Sequence, residues 1–124
     1  MYKPVFVLGV LLALTLCASA GDIVLKPLDS KAKLQPVGLV IIQGASIPTD
    51  RYVALAQAIQ IASPFALYVG LPSYPMDAAI PVGLLFDGPV NRVLASLASA
   101  GLPSTAKVFF AGHSLGMLHL FYCR

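Results

Sequence analysis

The chain has 124 residues, of which 58% are hydrophobic and 10% are charged. A chain this apolar is too hydrophobic to be intrinsically disordered, and its length has room for one domain. The formal net charge is +3 at pH 7. Because the basic residues are scattered without interleaved aromatic residues, we expect no nucleic-acid partner. These scattered basic residues include Lys26, Lys31, Lys33 and Arg51.

The first twenty residues have the pattern of a secretory signal peptide. Lys3 supplies a positive charge, residues 5–16 form an apolar run, and Ala18-Ser19-Ala20 matches the small-x-small cleavage pattern. A transmembrane helix needs roughly 20 apolar residues, and this run is shorter. We therefore predict a signal peptide over residues 1–20, a secreted mature chain and no transmembrane anchor. An uncleaved anchor or a buried strand is the alternative.

The cysteines and histidines do not form a metal-binding pattern. Removal of the leader would take Cys17 with it and leave Cys123, so we expect no disulfide within the mature chain. His113 and His119 are six residues apart and lack the i, i+4 spacing of a helical zinc pair. We therefore expect no metal and no cofactor.

Strand and helix patterns begin to alternate after the leader. Residues 22–28 predict an edge strand followed by a turn. Residues 38–43 form an unbroken apolar run, which is typical of a strand covered on both faces in a parallel sheet. A helix is predicted from Thr49 onwards, because apolar residues recur at helical spacing. That apolar stripe consists of Tyr52, Leu55, Ala56, Ile59 and Ala62.

The same alternation continues to the end of the chain. Residues 65–69 predict a second buried strand, and residues 76–86 are predicted to be mainly loop because proline and glycine interrupt them. A second helix is expected to begin at Gly88-Pro89 and to end at Gly101. Residues 107–111 then predict a third buried strand. Strand and helix alternation of this kind predicts an α/β fold, namely a three-layer α/β/α sandwich with a mostly parallel sheet.

A glycine-serine-glycine motif follows the third buried strand. Gly112-His113-Ser114-Leu115-Gly116 fits the pattern Gly-x-Ser-x-Gly, which marks a tight turn between a strand and a helix. The two glycines have no Cβ, so the strand and the helix can approach closely on either side of the turn. We expect this turn to hold Ser114 in a strained conformation that exposes its hydroxyl group.

On this motif and its context, the chain resembles the N-terminal half of a small secreted α/β-hydrolase. It is similar to the dienelactone hydrolase, chlorophyllase and platelet-activating-factor acetylhydrolase group, over residues 38–116. The resemblance implies an incomplete α/β-hydrolase domain over residues 21–124. It also implies a serine hydrolase that acts on carboxylic esters, with a small-molecule or lipid-like ester as substrate.

The resemblance implies a role for individual residues of the motif and of the loop after the first buried strand. Ser114 matches the family's nucleophile. The backbone amide of Leu115 would be one oxyanion-hole donor. The second donor would be the amide of Ala45, with Gly44 and Ser46 as alternatives.

The chain departs from the family pattern after the nucleophile. The family order is serine, then an acid, then a histidine, but no Asp or Glu follows Ser114 and the one histidine after it is His119. His119 would lie in the helix that begins at the turn, and His113 is expected to point away from the serine side chain. We therefore expect a truncated chain that lacks the triad acid and histidine. The alternatives are a catalytically inactive, hydrolase-like binding protein and an unrelated α/β binding domain.

The family architecture also bears on partners. It places the nucleophile strand inside the sheet, with later strands on its far side. In this chain, residues 107–111 are therefore expected to form an exposed, apolar sheet edge that carries Phe109 and Phe110. Such an edge predicts association with a longer relative.

Overall fold

Four strands form one mixed sheet in the computed structural model, which describes residues 21–122 without the side chains of residues 84–86, 119, 121 and 122. The spatial order of the strands is β1-β3-β2-β4. β2 pairs in parallel with β3 and with β4, whereas β1 runs antiparallel to β3. The predicted leader and Cys123 lie outside the described residues. The strands are β1 (Ile23–Leu25), β2 (Pro36–Ile42), β3 (Ala66–Leu71) and β4 (Val108–Gly112).

Three α-helices alternate with the strands from β2 onwards. They are α1 (Val53–Ala62), α2 (Gly83–Ser99) and α3 (Leu115–Tyr122). Short 3-10 turns cover Thr49–Tyr52 before α1 and Pro75–Asp77 after β3. The order β2, α1, β3, α2, β4, α3 confirms the prediction of a small α/β fold. Within the described residues, no helix combines the length and the apolar character that a membrane-spanning segment requires.

Strand β2 contributes side chains to two separate hydrophobic clusters. Val40 and Ile42 pack in one cluster with Val93 of α2. Ile41 packs in the other cluster with Ala56 of α1. Because successive side chains of a strand point to opposite faces, β2 is buried from both sides. This double burial is the physical reason for the unbroken apolar run in its sequence.

Helix α2 begins earlier than its sequence predicts. We expected a start at Gly88-Pro89 and a loop up to residue 86, but the helix already begins at Gly83 and Pro89 lies inside it. The loop expectation is therefore wrong for residues 83–86, and the helix starts before the predicted Gly88-Pro89. Pro89 is the seventh residue of α2, so it removes one hydrogen bond of the helix and crowds the carbonyl group four residues earlier, which costs about 3 kcal/mol in a helix interior.

The buried face of α1 also differs from the predicted stripe. Leu55, which belongs to that stripe, is 51% exposed, whereas Gln60 is only 3% exposed. The side-chain amide of Gln60 donates hydrogen bonds to the carbonyl oxygens of Lys26 and Leu67, at 2.8 Å each. A polar side chain can be buried here because both of its amide hydrogens are satisfied.

An ion pair joins the beginning of β1 to α2 and to the loop after β3. The Arg92 guanidinium donates to both carboxylate oxygens of Asp22, from Nε at 3.0 Å and from Nη2 at 3.1 Å. The same carboxylate accepts the Ser73 amide at 2.8 Å. The hydrogen bond with Asp22 raises the pKa of Arg92 above its ordinary value. Because the shift is upward, the charge of this guanidinium contributes to stability at neutral pH, and that contribution is lost at the alkaline end as the pH rises through the raised pKa.

Lys31 caps the carboxyl end of α1 from the connection between β1 and β2. Its ammonium group donates to the carbonyl oxygens of Gln60 at 3.1 Å, Ile61 at 2.5 Å and Ser63. The last carbonyls of a helix have no intrahelical donors and carry the negative end of the helix dipole. Lys31 therefore stabilises α1 and fixes the β1–β2 connection against it.

We expect Lys31→Met to lower the free energy of unfolding by about 1–2 kcal/mol, because the substitution removes charged hydrogen bonds to three carbonyl groups. Urea denaturation of the purified chain measures this loss. Lys33→Met is the matched control, since Lys33 is exposed and makes no hydrogen bond to another described residue. We expect it to change stability by less than about 0.5 kcal/mol. An equal loss in both variants would contradict the cap.

Candidate functional site

The turn between β4 and α3 holds Ser114 at an exposed apex. β4 ends at Gly112 and α3 begins at Leu115, so the predicted strand, turn and helix are present. Ser114 has a φ of 51°, in the left-handed region that costs a residue with a side chain about 1 kcal/mol or more. The amide of Gly116 donates to the His113 carbonyl at 2.9 Å, which closes the turn. The turn thus exposes Ser114. Its backbone is strained at the serine and is closed by the hydrogen bond between Gly116 and His113.

The two motif glycines stand where a Cβ has no room. A Cβ on Gly112 would lie 2.5 Å from the carbonyl carbon and oxygen of Gly116 and 2.7 Å from the Met117 nitrogen. A Cβ on Gly116 would lie 2.4 Å from the carbonyl oxygen of Ile42 and 2.9 Å from that of Gln43. All of these neighbours are backbone atoms, which cannot rotate away. Glycine at both positions therefore lets α3 pack directly against β4 and the end of β2.

The loop after β2 carries the three backbone amides, of Gly44, Ala45 and Ser46, that the sequence offers as the second oxyanion donor. One of them makes no hydrogen bond within the described chain. The Gly44 amide donates to the Tyr52 hydroxyl at 2.8 Å, and the Ser46 amide donates to the Asp77 carbonyl at 2.8 Å. Ala45 lies between them, is exposed, and its amide makes no hydrogen bond to another described residue. Of the three possible oxyanion donors in this loop, Ala45 is the one whose hydrogen is free.

The Leu115 amide is also uncommitted in the described part of the chain. As the first residue of α3 it has no intrahelical partner, and no other described group accepts its hydrogen. The amino end of a helix favours negative charge. The two loops that carry Leu115 and Ala45 are joined directly, because the His113 amide donates to the Ile42 carbonyl at 3.1 Å.

His113 turns its ring towards Tyr52. Its Nδ1 lies 2.9 Å from the Tyr52 hydroxyl, and the two ring centroids are 6.1 Å apart. No described side chain makes a hydrogen bond to the Ser114 hydroxyl. His119 lies in α3, but its side chain is outside the described residues. The two joined loops of the described chain therefore carry an exposed serine hydroxyl and two free amides, and no described side chain is hydrogen-bonded to that hydroxyl as a base would be.

Sequence reasoning missed the role of Tyr52. We placed this residue in the apolar stripe of the first helix, and it is indeed only 7% exposed. Its hydroxyl, however, contacts both loops of the site. A tyrosine in an otherwise aliphatic stripe is a usable signal, because a buried phenol normally needs a hydrogen-bond partner. The hydrogen bond from the Ser46 amide to Asp77 could not be found in this way, because its acceptor is a backbone carbonyl group.

An apolar cleft of about 500 Å³ opens between α1 and β4, beside the turn. Its volume lies within the roughly 300–1,000 Å³ that is usual for small-molecule sites. Its walls are mainly aliphatic, with Arg51, Tyr52 and His113 as the polar lining residues. The aliphatic lining includes Ile41, Ile47, Leu55, Ile59 and Ala111.

Known proteins were compared with the chain at three levels. No family model matches it. Neither a curated protein nor a solved structure matches it. Among the side chains that the structure describes, no group of three or more His, Cys, Asp or Glu residues is placed to hold a metal ion. What the site can do chemically therefore follows from the turn, the two free amides and the cleft.

We expect Gly116→Ala to destabilise the fold by at least about 3 kcal/mol or to prevent folding, because the new Cβ would overlap the Ile42 carbonyl. Gly88→Ala is the matched control within another helix, since a Cβ there meets nothing within 4 Å. We expect that control to change stability by less than about 1 kcal/mol, because the gain in helix propensity is opposed by the crowding of a residue that precedes proline. Thermal unfolding compares the two variants, and a well-folded Gly116→Ala chain with wild-type stability would refute the close contact.

Proposed function

We propose that the chain carries the nucleophile and the oxyanion donors of a secreted serine hydrolase of the α/β-hydrolase superfamily, which acts on carboxylic esters. The observation that carries this proposal is the exposed Ser114 at a φ of 51° between two glycines that have no room for a Cβ. Strain of this kind is stored mainly at functional sites, where it sets the geometry of a reacting group. A plain surface turn would not need such close backbone contacts on both sides.

The fold supports the proposal through the position of the site in the sheet. The chain passes from β2 to β3 on one side of β2, and then from β3 to β4 on the other side. In open α/β sheets, ligands bind at the carboxyl ends of the strands where the direction of winding changes. Ser114 and Ala45 lie in the two loops that leave this point. The separate clusters with α1 and α2 further support a three-layer α/β/α sandwich.

The proposed chemistry is acyl transfer to Ser114. The hydroxyl oxygen attacks the ester carbonyl, and the tetrahedral oxyanion accepts hydrogen bonds from the Leu115 and Ala45 amides. Collapse of this intermediate breaks the ester C–O bond, the alcohol leaves with a proton, and water then hydrolyses the acyl-enzyme. Serine is a weak nucleophile without a base. In this proposal the base and its acid come from outside the described residues.

The cleft beside the turn supports a small-molecule or lipid-like ester as substrate. It is predominantly apolar and lies next to Gly112 and His113, the residues that immediately precede the proposed nucleophile. An apolar wall of this kind favours contact with the hydrocarbon part of an ester, because burial of hydrocarbon surface is favourable.

A fluorophosphonate probe tests the nucleophile directly. We expect intact-mass spectrometry to show one phosphonyl adduct on the wild-type chain, formed by attack of Ser114 with loss of fluoride. Ser114→Ala should reduce the labelling rate at least about 100-fold, because the nucleophilic oxygen is gone. Ser104→Ala is the matched control, since it removes an exposed hydroxyl in the turn before β4, and it should label normally. Equal labelling of both variants would reject the assignment.

The open edge of β4 favours a second function, in which an inactive hydrolase-like chain acts as a binding protein. Among the described strands, none pairs with the outer side of β4. Phe109 is 55% exposed and Phe110 is 43% exposed, on opposite faces of this edge. An exposed apolar edge is a template for pairing with a strand of another chain. The partner proposed here is a longer α/β-hydrolase relative.

We expect Phe110→Lys to reduce recovery of a co-expressed, tagged full-length relative about tenfold, because a charge on a strand edge opposes pairing. Leu34→Lys is the matched control, since Leu34 is also 43% exposed but lies before β2. Fluorophosphonate uptake by Ser114 only in the co-expressed sample would indicate complementation of the missing base. Equal recovery with both variants would exclude the β4 edge as the contact.

A further inference from the structure

We infer that Tyr52 is a positioning residue that clamps the loop after β2, which carries the Ala45 amide, to the turn that carries Ser114. This role rests on the proposed hydrolase function. Its hydroxyl lies 2.8 Å from the Gly44 amide nitrogen and 2.9 Å from the His113 Nδ1. One buried oxygen atom therefore bridges the loop after β2 and the turn after β4. Tyr52 itself is the last residue of the 3-10 turn before α1, so three segments meet at this hydroxyl.

The directions of the two hydrogen bonds follow from donor chemistry. A backbone N–H can only donate, so the Tyr52 oxygen accepts from Gly44. The hydroxyl proton is then available to His113, whose Nδ1 accepts it. A neutral imidazole that accepts at Nδ1 carries its own proton on Nε2. The bridge therefore assigns His113 the Nε2–H tautomer.

A proton on Nδ1 of His113 would instead leave the buried Tyr52 hydroxyl group without an acceptor for its hydrogen. If His113 donated from Nδ1, the Tyr52 oxygen would accept twice and its own hydrogen would need a third group. The tyrosine is 7% exposed, and its hydroxyl has no other hydrogen-bond partner among the described residues. An unsatisfied buried donor costs about 1–3 kcal/mol. The Nε2–H tautomer avoids that cost.

The clamp determines which amide of the loop faces the reacting carbonyl. Gly44 is held to Tyr52 and Ser46 to Asp77, so the intervening amide of Ala45 is the one left free. Gly44 is also pressed against His113, because a Cβ there would lie 2.9 Å from the imidazole Nδ1. Oxyanion donors act only when they sit at hydrogen-bond distance from the developing charge. Loss of the hydroxyl should therefore loosen the loop and weaken oxyanion stabilisation.

Tyr52→Phe tests the clamp with the aromatic ring retained. Tyr68→Phe is the matched control, because the Tyr68 hydroxyl makes no hydrogen bond to another described residue and lies on the α2 side of the sheet. We expect hydrogen exchange of the Gly44 amide to become about tenfold faster in Tyr52→Phe and to stay unchanged in Tyr68→Phe. Nitrogen-15 NMR of the wild-type chain should show His113 protonated on Nε2, with mixed tautomers in Tyr52→Phe.

The labelling rate of Ser114 supplies the functional readout. We expect about tenfold slower fluorophosphonate labelling in Tyr52→Phe and a wild-type rate in Tyr68→Phe. A wild-type chain with His113 protonated on Nδ1, or unchanged Gly44 exchange in Tyr52→Phe, overturns the clamp. The tautomer measurement needs no variant, so it decides even if a variant fails to fold. The expected NMR results without wild-type labelling, either alone or with the co-expressed relative, would instead reject the hydrolase and retain the contact.

Discussion

The site depends on a backbone contact that leaves no space for a side chain. Gly116, near the start of α3, lies against the carbonyl groups at the end of β2, and Gly112 lies against Gly116 in turn. These contacts set the distance between the central strand and the helix that follows Ser114. The close approach is accompanied by a short turn in which Ser114 has a φ of 51°. The Leu115 amide is free for a separate reason, because the first amides of any helix have no intrahelical acceptor.

The positions of β2, β3 and β4 could be predicted because each strand carries a continuous apolar run. Residues 38–43, 65–69 and 107–111 each fall within two residues of the observed strands. The run in β4 does not correspond to burial, since none of its residues is buried and Phe109 and Phe110 are exposed. The start of α2 could not be predicted, because Pro89 favours a helix start and local preference cannot show that the helix extends before it. Gln60 was misplaced for a related reason: its burial depends on two carbonyl groups in distant segments.

The candidate site was predictable where it follows a local motif and unpredictable where it depends on long-range hydrogen bonds. The glycines and Ser114 belong to one short pattern, so their geometry follows from the pattern itself. The sequence left Ala45, Gly44 and Ser46 open, because nothing in a loop sequence tells which amide is already occupied. Tyr52 and His113 are separated by 61 positions. Their contact exists only because β2 and β4 are neighbours in the sheet.

The position of β4 in the sheet has a consequence for the order in which the structure forms. β2 meets β3 across roughly 30 residues of chain, as in the pair Leu39 and Val69, but it meets β4 across roughly 70, as in Gly38 and Val108. The longer loop costs more entropy to close, and β4 is held by one neighbouring strand instead of two. Assembly should therefore end at β4, and local opening should begin there. The segment that leads into the Ser114 turn is therefore expected to be the last to acquire its geometry and the first to lose it.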